Sequence, residues 1–196
     1  MKKLLLFVVA LFTISFAQAQ GGIKLGLKAG GNLSNITGDD TEDSKNKFGF
    51  HVGGFVDFGV SDMVSIRPEV LYSMKGATGE GDGDSDMSLN LNYIDVPIMA
   101  RINADKLFFE FGPTISFLVK SEAEMGDLSV DFKDYTNTVD FGYAAGLGYN
   151  ISDNIGLGLR YNGGLSKVFK DNEDADFGDV RNSVFQLSLS FSLGGR

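Results

Sequence analysis

The chain contains no cysteine and one histidine among its 196 residues. Without cysteine it forms neither disulfides nor thiolate metal sites, and the single histidine, His51, argues against a three-ligand catalytic zinc site. After the N-terminal segment, no run reaches about 18 apolar residues, which excludes a membrane-spanning helix. The chain is instead rich in glycine (26) and phenylalanine (17) and poor in proline (3). This composition is typical of an all-β protein.

The first nineteen residues have the pattern of a secretory signal peptide. Lys2 and Lys3 provide the positive charge, residues 4–16 form the apolar core, and Ala17 to Ala19 is a small-x-small cleavage site. The apolar core is shorter than the roughly 20 residues of a spanning helix. We therefore expect cleavage of residues 1–19, which leaves residues 20–196 as one mature domain.

Eight segments after residue 20 alternate between apolar and polar residues with period two, which predicts β-strands. In the last of them Phe185, Leu187 and Leu189 alternate with Gln186. The alternation changes phase in the fourth, and a β-bulge near Tyr93 would restore the facing of its apolar side chains. The predicted strands cover 23–33, 47–60, 63–76, 88–102, 107–120, 139–151, 155–170 and 181–193.

The connections between these strands alternate in length. Tight turns are predicted at 61–62, 103–106 and 152–154, and long polar loops at 34–46, 77–87, 121–138 and 171–180. Short turns at one end and long loops at the other are typical of outer-membrane barrels. The sequence therefore predicts an eight-stranded antiparallel up-and-down transmembrane β-barrel of the small OmpA/OmpX type. We expect it in the bacterial outer membrane, with extracellular loops and periplasmic termini.

The polar face of the strands indicates which side points inward. Its residues are mostly small, and its charges are sparse and of both signs, which suits the narrow interior of an eight-stranded barrel. The apolar face then contacts lipid. Aromatic residues near the strand ends are expected to form interfacial girdles. They are Phe50, Phe58, Tyr72, Tyr93, Phe117, Tyr143 and Tyr149.

Seven charged residues fall on the inward face of the predicted strands: Arg67, Glu69, Asp95, Arg101, Glu110, Asp140 and Arg160. Buried charges are costly unless they are paired. We interpret the set as a structural salt-bridge network that fills the lumen together with His51 and Phe55. Arg67 and Glu69, two residues apart on one strand, are the nearest candidate pair. The alternative is a proton or small-solute path.

The predicted loops carry most of the negative charge. They contain eighteen of the 26 acidic residues, opposed only by Lys45 and Lys133. This excess argues against nucleic acid as a partner and predicts a hydrated acidic surface. Residues 82–86 resemble the opening of a calcium loop, but Met87 and Tyr93 stand where an EF-hand needs Gly and Glu. Weak binding of divalent cations by the loop carboxylates is the remaining expectation, and no cofactor is expected.

Motifs for catalysis are not recognisable. A hydrolase built on His51 would need a nucleophilic serine and an orienting acid beside it, and no spacing singles out such a serine. The glycine-rich residues 29–32 are not followed by a helix on which a phosphate could bind. We therefore expect a non-enzymatic barrel with a structural or surface-interaction role. The alternatives are a lipid-modifying enzyme, a narrow solute channel and a soluble lipid-binding barrel.

Several segments together resemble the PorT-like outer-membrane β-barrel family of Bacteroidota. They are LKAGGNLSNI (27–36), RPEVLYSMKG (67–76), YIDVPI (93–98), FEFGP (109–113), and GLGY (146–149) followed by Arg160-Tyr161. The resemblance implies a small barrel, mostly of unassigned function, with one relative associated with protein secretion, and it supplies no catalytic residues. The expected partners are membrane lipid, an unidentified extracellular or periplasmic protein, and the barrel-assembly machinery. Phe191 would replace the missing terminal aromatic in recognition by that machinery.

Overall fold

The structure, a computed structural model, describes residues 22–38, 41, 44–80, 86–125, 128–170 and 178–193. The predicted signal peptide at 1–19 lies outside the described residues. So do most of the calcium-like segment at 82–86 and most of the predicted loop at 171–180.

The described residues form nine antiparallel β-strands. They are β1 (Ile23–Thr37), β2 (Lys47–Gly59), β3 (Val64–Glu80), β4 (Asp86–Ala104), β5 (Leu107–Met125), β6 (Leu128–Asp131), β7 (Val139–Asn150), β8 (Ile155–Gly164) and β9 (Arg181–Leu193). Neighbours follow the order β4-β3-β2-β1-β9-β8-β7-β5, and β4 also pairs with β5, so eight strands close into a ring. The short β6 pairs only with the end of β5. The predicted eight-stranded up-and-down barrel is confirmed.

Side-chain exposure alternates along the ring strands and separates an apolar outer surface from a polar interior. On β9, Leu187 and Leu189 are 57% and 52% exposed, whereas Gln186 and Ser188 are buried. Closure pairs every ring strand on both sides, which satisfies the backbone groups of a chain embedded in lipid. The continuous outer apolar surface contradicts the alternative of a soluble barrel, whose apolar face would point inward. Among the described residues, no helix has the length and hydrophobicity of a transmembrane segment.

A β-bulge interrupts the pairing of β4 with β5 at the predicted place. The register shifts between Asn92 and Tyr93, and their partners on β5 skip Val119. Because the extra residue is on β5, the phase of β4 does not change, and Leu91 and Tyr93 both remain inside, fully buried. The expectation that Tyr93 belongs to the lipid-facing girdle is therefore wrong. The other proposed girdle residues are exposed or half-buried on the outer surface: Phe50, Phe58, Tyr72, Phe117, Tyr143 and Tyr149.

Strand lengths at the long-loop end differ from the predicted ones. β3 and β4 continue to Glu80 and Asp86, and β5 continues to Met125. The predicted loops at 77–87 and 121–138 are therefore partly β-hairpin, because cross-strand pairing does not stop where the apolar alternation fades. β8, in contrast, ends at Gly164 rather than at residue 170. There the chain turns back, and the backbone N–H groups of Leu165 and Ser166 donate to the carbonyl oxygen of Phe141.

The long-loop end of the barrel is covered by an apolar cap, which we define as the five buried side chains of Leu91, Tyr93, Leu118, Val168 and Val180. Two backbone segments, residues 132–138 and 165–170, hold the cap in place. Asn137 donates from Nδ2 to the carbonyl oxygens of Lys167 and Phe169 at 2.9 and 3.0 Å. The N–H of Val168 donates to the carbonyl oxygen of Val180 at 2.7 Å.

Candidate functional site: the barrel lumen

Four charged side chains from four strands meet inside the lumen. Arg160 on β8 donates from Nη1 and Nη2 to the two carboxylate oxygens of Glu69 on β3, each at 2.8 Å. Its Nε lies 2.8 Å from Oε1 of Glu110 on β5. Lys28 Nζ on β1 lies 3.2 Å from Oε2 of Glu69. We call these four residues the central cluster. Its two cations and two anions neutralise one another, as buried charges require.

Two further ion pairs lie inside the barrel. Arg67 Nε donates to Oδ2 of Asp57 at 2.9 Å, and Lys75 Nζ lies 2.8 Å from Oδ1 of Asp95. Arg67 and Glu69 share the inward face of β3, but the structure pairs them with different partners. The candidate pair suggested by their spacing is therefore not formed.

The remaining two of the seven inward charges have amide partners rather than ionic ones within the described chain. Arg101 donates to Oδ1 of Asn103 and of Asn150 at 3.1 and 2.7 Å. Asp140 accepts from Nδ2 of Asn182 at 2.9 Å. All seven inward charges are buried.

The sequence reasoning missed Lys28, Asp57 and Lys75 as members of this network. All three occupy inward positions of their strands, Lys28 in phase with Asn32 and Lys75 in phase with Arg67 and Glu69. Extending the inward alternation along the full length of β1 and β3 would have found both lysines. The choice of carboxylate by each cation, in contrast, depends on distances across the barrel that the sequence does not contain.

His51 is buried in a layer of uncharged polar groups. Its Nδ1 lies 2.7 Å from Oδ1 of Asn32, and its Nε2 lies 2.9 Å from Oγ of Ser188. This arrangement has the order of nucleophile, base and orienting group in a hydrolase. However, His51 and Ser188 are only 1% and 4% exposed, and Gln186 also donates to Oδ1 of Asn32. The three side chains therefore pack as buried polar groups of the interior.

Two phenylalanine rings fill the lumen near its short-turn end, where residues 60–63, 105–106 and 151–154 connect the strands. Arg67 lies over Phe55, with Cζ 4.2 Å from the ring centroid, and Arg101 lies over Phe108 at 3.5 Å. Such cation–π contacts stabilise buried guanidinium groups. Phe108 was not recognised from the sequence, because the neighbouring Leu107 and Phe109 are also apolar and conceal the alternation.

We predict that the Phe108 ring makes Gly148 sensitive to substitution. A Cβ at Gly148 would lie 2.1 Å from Cζ of Phe108 and 2.3 Å from the carbonyl oxygen of Leu157. Gly148→Ala should therefore lower the free energy of unfolding by about 1–3 kcal/mol through overpacking. Gly158→Ala is the matched control, because its Cβ would lie 3.4 Å from the same Cζ, an ordinary contact. Equal unfolding midpoints in urea for the two variants would contradict this packing.

A vestibule of about 570 Å³ opens at the short-turn end of the lumen. Arg67, Arg101 and Asn150 are among the residues of its wall. Deeper inside lies a cavity of about 10 Å³, bordered by Lys75 and Arg160 among others, which has the size of one water molecule. Between the vestibule and the apolar cap, the lumen is occupied by the side chains described above.

At the opposite end, strands β3 to β6 extend past the other strands as a sheet that we call the protruding sheet. Its two faces differ in polarity. One carries Ser88, Glu122 and Glu124, and the other continues the inward face of the barrel with Leu89 and Ala123. That face also carries apolar side chains that are 43–71% exposed: Met87, Met125, Leu128 and Val130. The protruding sheet thus presents an exposed apolar surface beyond the barrel.

Among the described residues, no group of three or more His, Cys, Asp or Glu side chains is placed to hold a metal ion. Outside the strands, the hydrogen bond from Lys167 lowers the pKa of Asp179, whose Oδ1 lies 2.6 Å from Lys167 Nζ. This carboxylate is therefore already engaged by a cation of the chain itself.

A closed ring of eight strands with an apolar outer surface and a charged interior defines a small β-barrel of the bacterial outer membrane. The sequence model of a family described as "outer membrane protein beta-barrel domain" matches residues 16–170. The chain belongs to this family. The family places it in the bacterial outer membrane.

Solved structures support the same fold. The chain is similar to Neisserial surface protein A, at 15% identity and a TM-score of 0.58, over 88% of this chain and 100% of that one. It is also similar to Ail, the attachment invasion locus protein of Yersinia pestis, solved with the heparin analogue sucrose octasulfate, at 17% identity and a TM-score of 0.52, over 88% and 100% of the two chains. At these identities the likeness shows the fold alone. No curated protein matches the chain.

Proposed function

We propose that this protein is a non-enzymatic, non-conducting outer-membrane barrel whose role is structural or lies in interactions at the cell surface. The observation that carries the proposal is the filled lumen. Ion pairs, the His51 layer and the apolar cap occupy it from the vestibule to the opposite end, which supports neither a solute path nor a substrate-accessible serine. The protruding sheet and the acidic loops then offer the surface for contact with other molecules.

The arrangement of Ser188, His51 and Asn32 indicates an alternative function, that of a lipid-modifying enzyme. The burial of all three side chains speaks against it, because an enzyme acting on lipid needs its nucleophile at the outer surface or near a loop. A lipase assay on purified barrel, compared with a His51→Ala variant, separates the two functions. We expect no activity in either protein. Activity that disappears in the variant would support the enzyme.

The proposed orientation places the long-loop end outside the cell and the termini in the periplasm. It is supported by the unequal connection lengths and by the acidic loop sequences, since long loops are extracellular in outer-membrane barrels. An epitope tag between β3 and β4 should therefore bind antibody on intact cells. A tag at Ser152-Asp153, between β7 and β8, should bind only after the outer membrane is permeabilised. The reverse pattern would overturn the orientation.

The resemblance to the PorT-like family extends the proposal to a link with protein secretion, as for one relative of that family. Cross-linking in native outer membranes from a photoreactive residue at Leu128, in the protruding sheet, would test it. Recovery of secretion components would support the link. The same residue placed at Leu189, on the lipid-facing side of β9, is the matched control. Equal recovery from both positions would indicate proximity in the membrane rather than a specific contact.

A further inference from the structure

We propose that the vestibule at the short-turn end is a binding site for an anionic group, a carboxylate or a phosphate, held by Arg101. The inference goes beyond the proposed function and does not depend on which side of the membrane this end faces. The volume of the vestibule, about 570 Å³, lies within the range of about 300–1,000 Å³ that is usual for small-molecule sites.

Arg101 has no acidic partner among the described residues. Its side chain is buried, at 4% exposure for the residue, and it forms no ion pair with a described residue. Two of its N–H groups bond to the neutral amide oxygens of Asn103 and Asn150. A buried cation without a counter-charge is costly, and a guanidinium has five N–H donors in all. Donor capacity and positive charge therefore remain for an anion.

The carboxylates that lie near Arg101 bind other cations. Glu110 is the direct cross-strand partner of Arg101 on β5, but its Oε1 accepts from Arg160 at 2.8 Å. Asp57, which also lines the vestibule, is held by Arg67. Arg67 and Arg101 are buried in the vestibule wall and Asp57 is half-buried there, so the three charges together leave one positive charge.

The wall of the vestibule also contains a hydroxyl group that lacks a partner in the described part of the chain. Ser65 lines the vestibule and is the cross-strand partner of Arg101 on β3. Its Oγ is buried and has no hydrogen-bond partner among the residues that the structure describes. Buried polar groups are rarely left unsatisfied, and each exception calls for an explanation. A hydroxyl donor beside a guanidinium that lacks a carboxylate is the donor set that an oxyanion requires.

The site differs from a diffuse attraction to exposed charges. The rim of the vestibule carries Lys24 and Lys106 together with Asp62, Asp105 and Asp153, all exposed. Exposed charges of both signs are screened by salt, so selectivity for anions must come from the buried Arg101. The rim lysines therefore serve as matched cationic controls for Arg101.

The experiment uses the full mature barrel, folded in maltoside micelles, with the arginine side chains labelled by ¹⁵N. The chain has only five arginines, so the Nε–Hε signals can be assigned by substitution. Inorganic phosphate and, separately, acetate are titrated at constant ionic strength. We expect a saturable shift of the Arg101 signal with either probe, and no shift of the Arg160 signal, which belongs to the central cluster.

Three variants decide the interpretation. Arg101→Gln should weaken phosphate binding at least tenfold, as measured by the Nε–Hε signal of Arg67, the other arginine of the vestibule wall. The variant should fold, because the substitution removes a buried charge that has no ionic partner among the described residues. Arg101→Lys should retain weaker binding. Lys24→Gln combined with Lys106→Gln should leave the affinity unchanged. A linear response without saturation, binding that survives Arg101→Gln, or binding lost with the rim lysines would overturn the site.

Nanodiscs distinguish the two sources of the anionic group. If discs containing phosphatidylglycerol shift the Arg101 signal without added phosphate, whereas phosphatidylcholine discs do not, a lipid headgroup is the occupant. If only added phosphate or acetate shifts the signal in both kinds of disc, the occupant is a soluble anion. Either result supports the site, and the absence of any response to both would contradict it.

Discussion

Glu69→Gln should lower the free energy of unfolding by about 3–5 kcal/mol, because it removes the carboxylate shared by Arg160 and Lys28. The variant leaves two buried cations facing a single carboxylate, that of Glu110. Since the chain has no tryptophan, unfolding in urea is best followed by the electrophoretic shift between folded and unfolded barrel.

Two comparisons show whether this loss arises from charge imbalance. Glu124→Gln, at an exposed position of β5, should change stability by less than about 0.5 kcal/mol. Adding Lys28→Met to Glu69→Gln leaves one cation, Arg160, opposite one anion, Glu110. The double variant should therefore recover about 1–2 kcal/mol of the lost free energy of unfolding. If the double variant were as unstable as the sum of its single changes, the central cluster would not be coupled.

Leu189→Arg should lower the free energy of unfolding in lipid vesicles by about 2–4 kcal/mol, the cost of arginine on the lipid side near the bilayer midplane. Leu189 is 52% exposed on the outer face of β9, four residues from the end of the strand. The cost arises from moving a guanidinium into hydrocarbon, so it should depend on depth rather than on the substitution as such.

Leu193→Arg is the matched control for that dependence. Leu193 faces outward like Leu189 but is the last residue of β9. Near the membrane surface the same substitution should cost only about 0–1 kcal/mol. Unchanged stability of Leu189→Arg, or equal losses at both positions, would contradict the assignment of this face to lipid.

The fold was predictable because the alternation of apolar and polar residues shows the facing of most ring strands. Leu187 and Leu189 lie outside, and Gln186 lies inside, as period two requires. The bulge was also located correctly, but its consequence was not. The extra residue, Val119, lies on β5, so the facing changes on β5 while β4 keeps its phase and Tyr93 stays inside.

The lumen was less predictable because pairing across a barrel depends on distances between strands that are remote in sequence. Glu69 and Arg160 are 91 residues apart, and no local pattern selects Arg160 over Arg67 as the partner of Glu69. The short strand β6 was likewise missed. Four residues alternating on an exposed edge give too weak a signal, and its pairing depends on the extension of β5.

The central claim is that the filled lumen does not conduct, and planar-bilayer recordings test it most directly. Purified wild-type barrel, with folding and insertion shown by its electrophoretic shift, should give no steady single-channel current at moderate voltage. Arg160→Ser combined with Glu69→Ser, which empties part of the central cluster, is the comparison in which small, noisy currents are expected. Stable, ion-selective current steps from the wild-type protein would contradict the account and establish a channel.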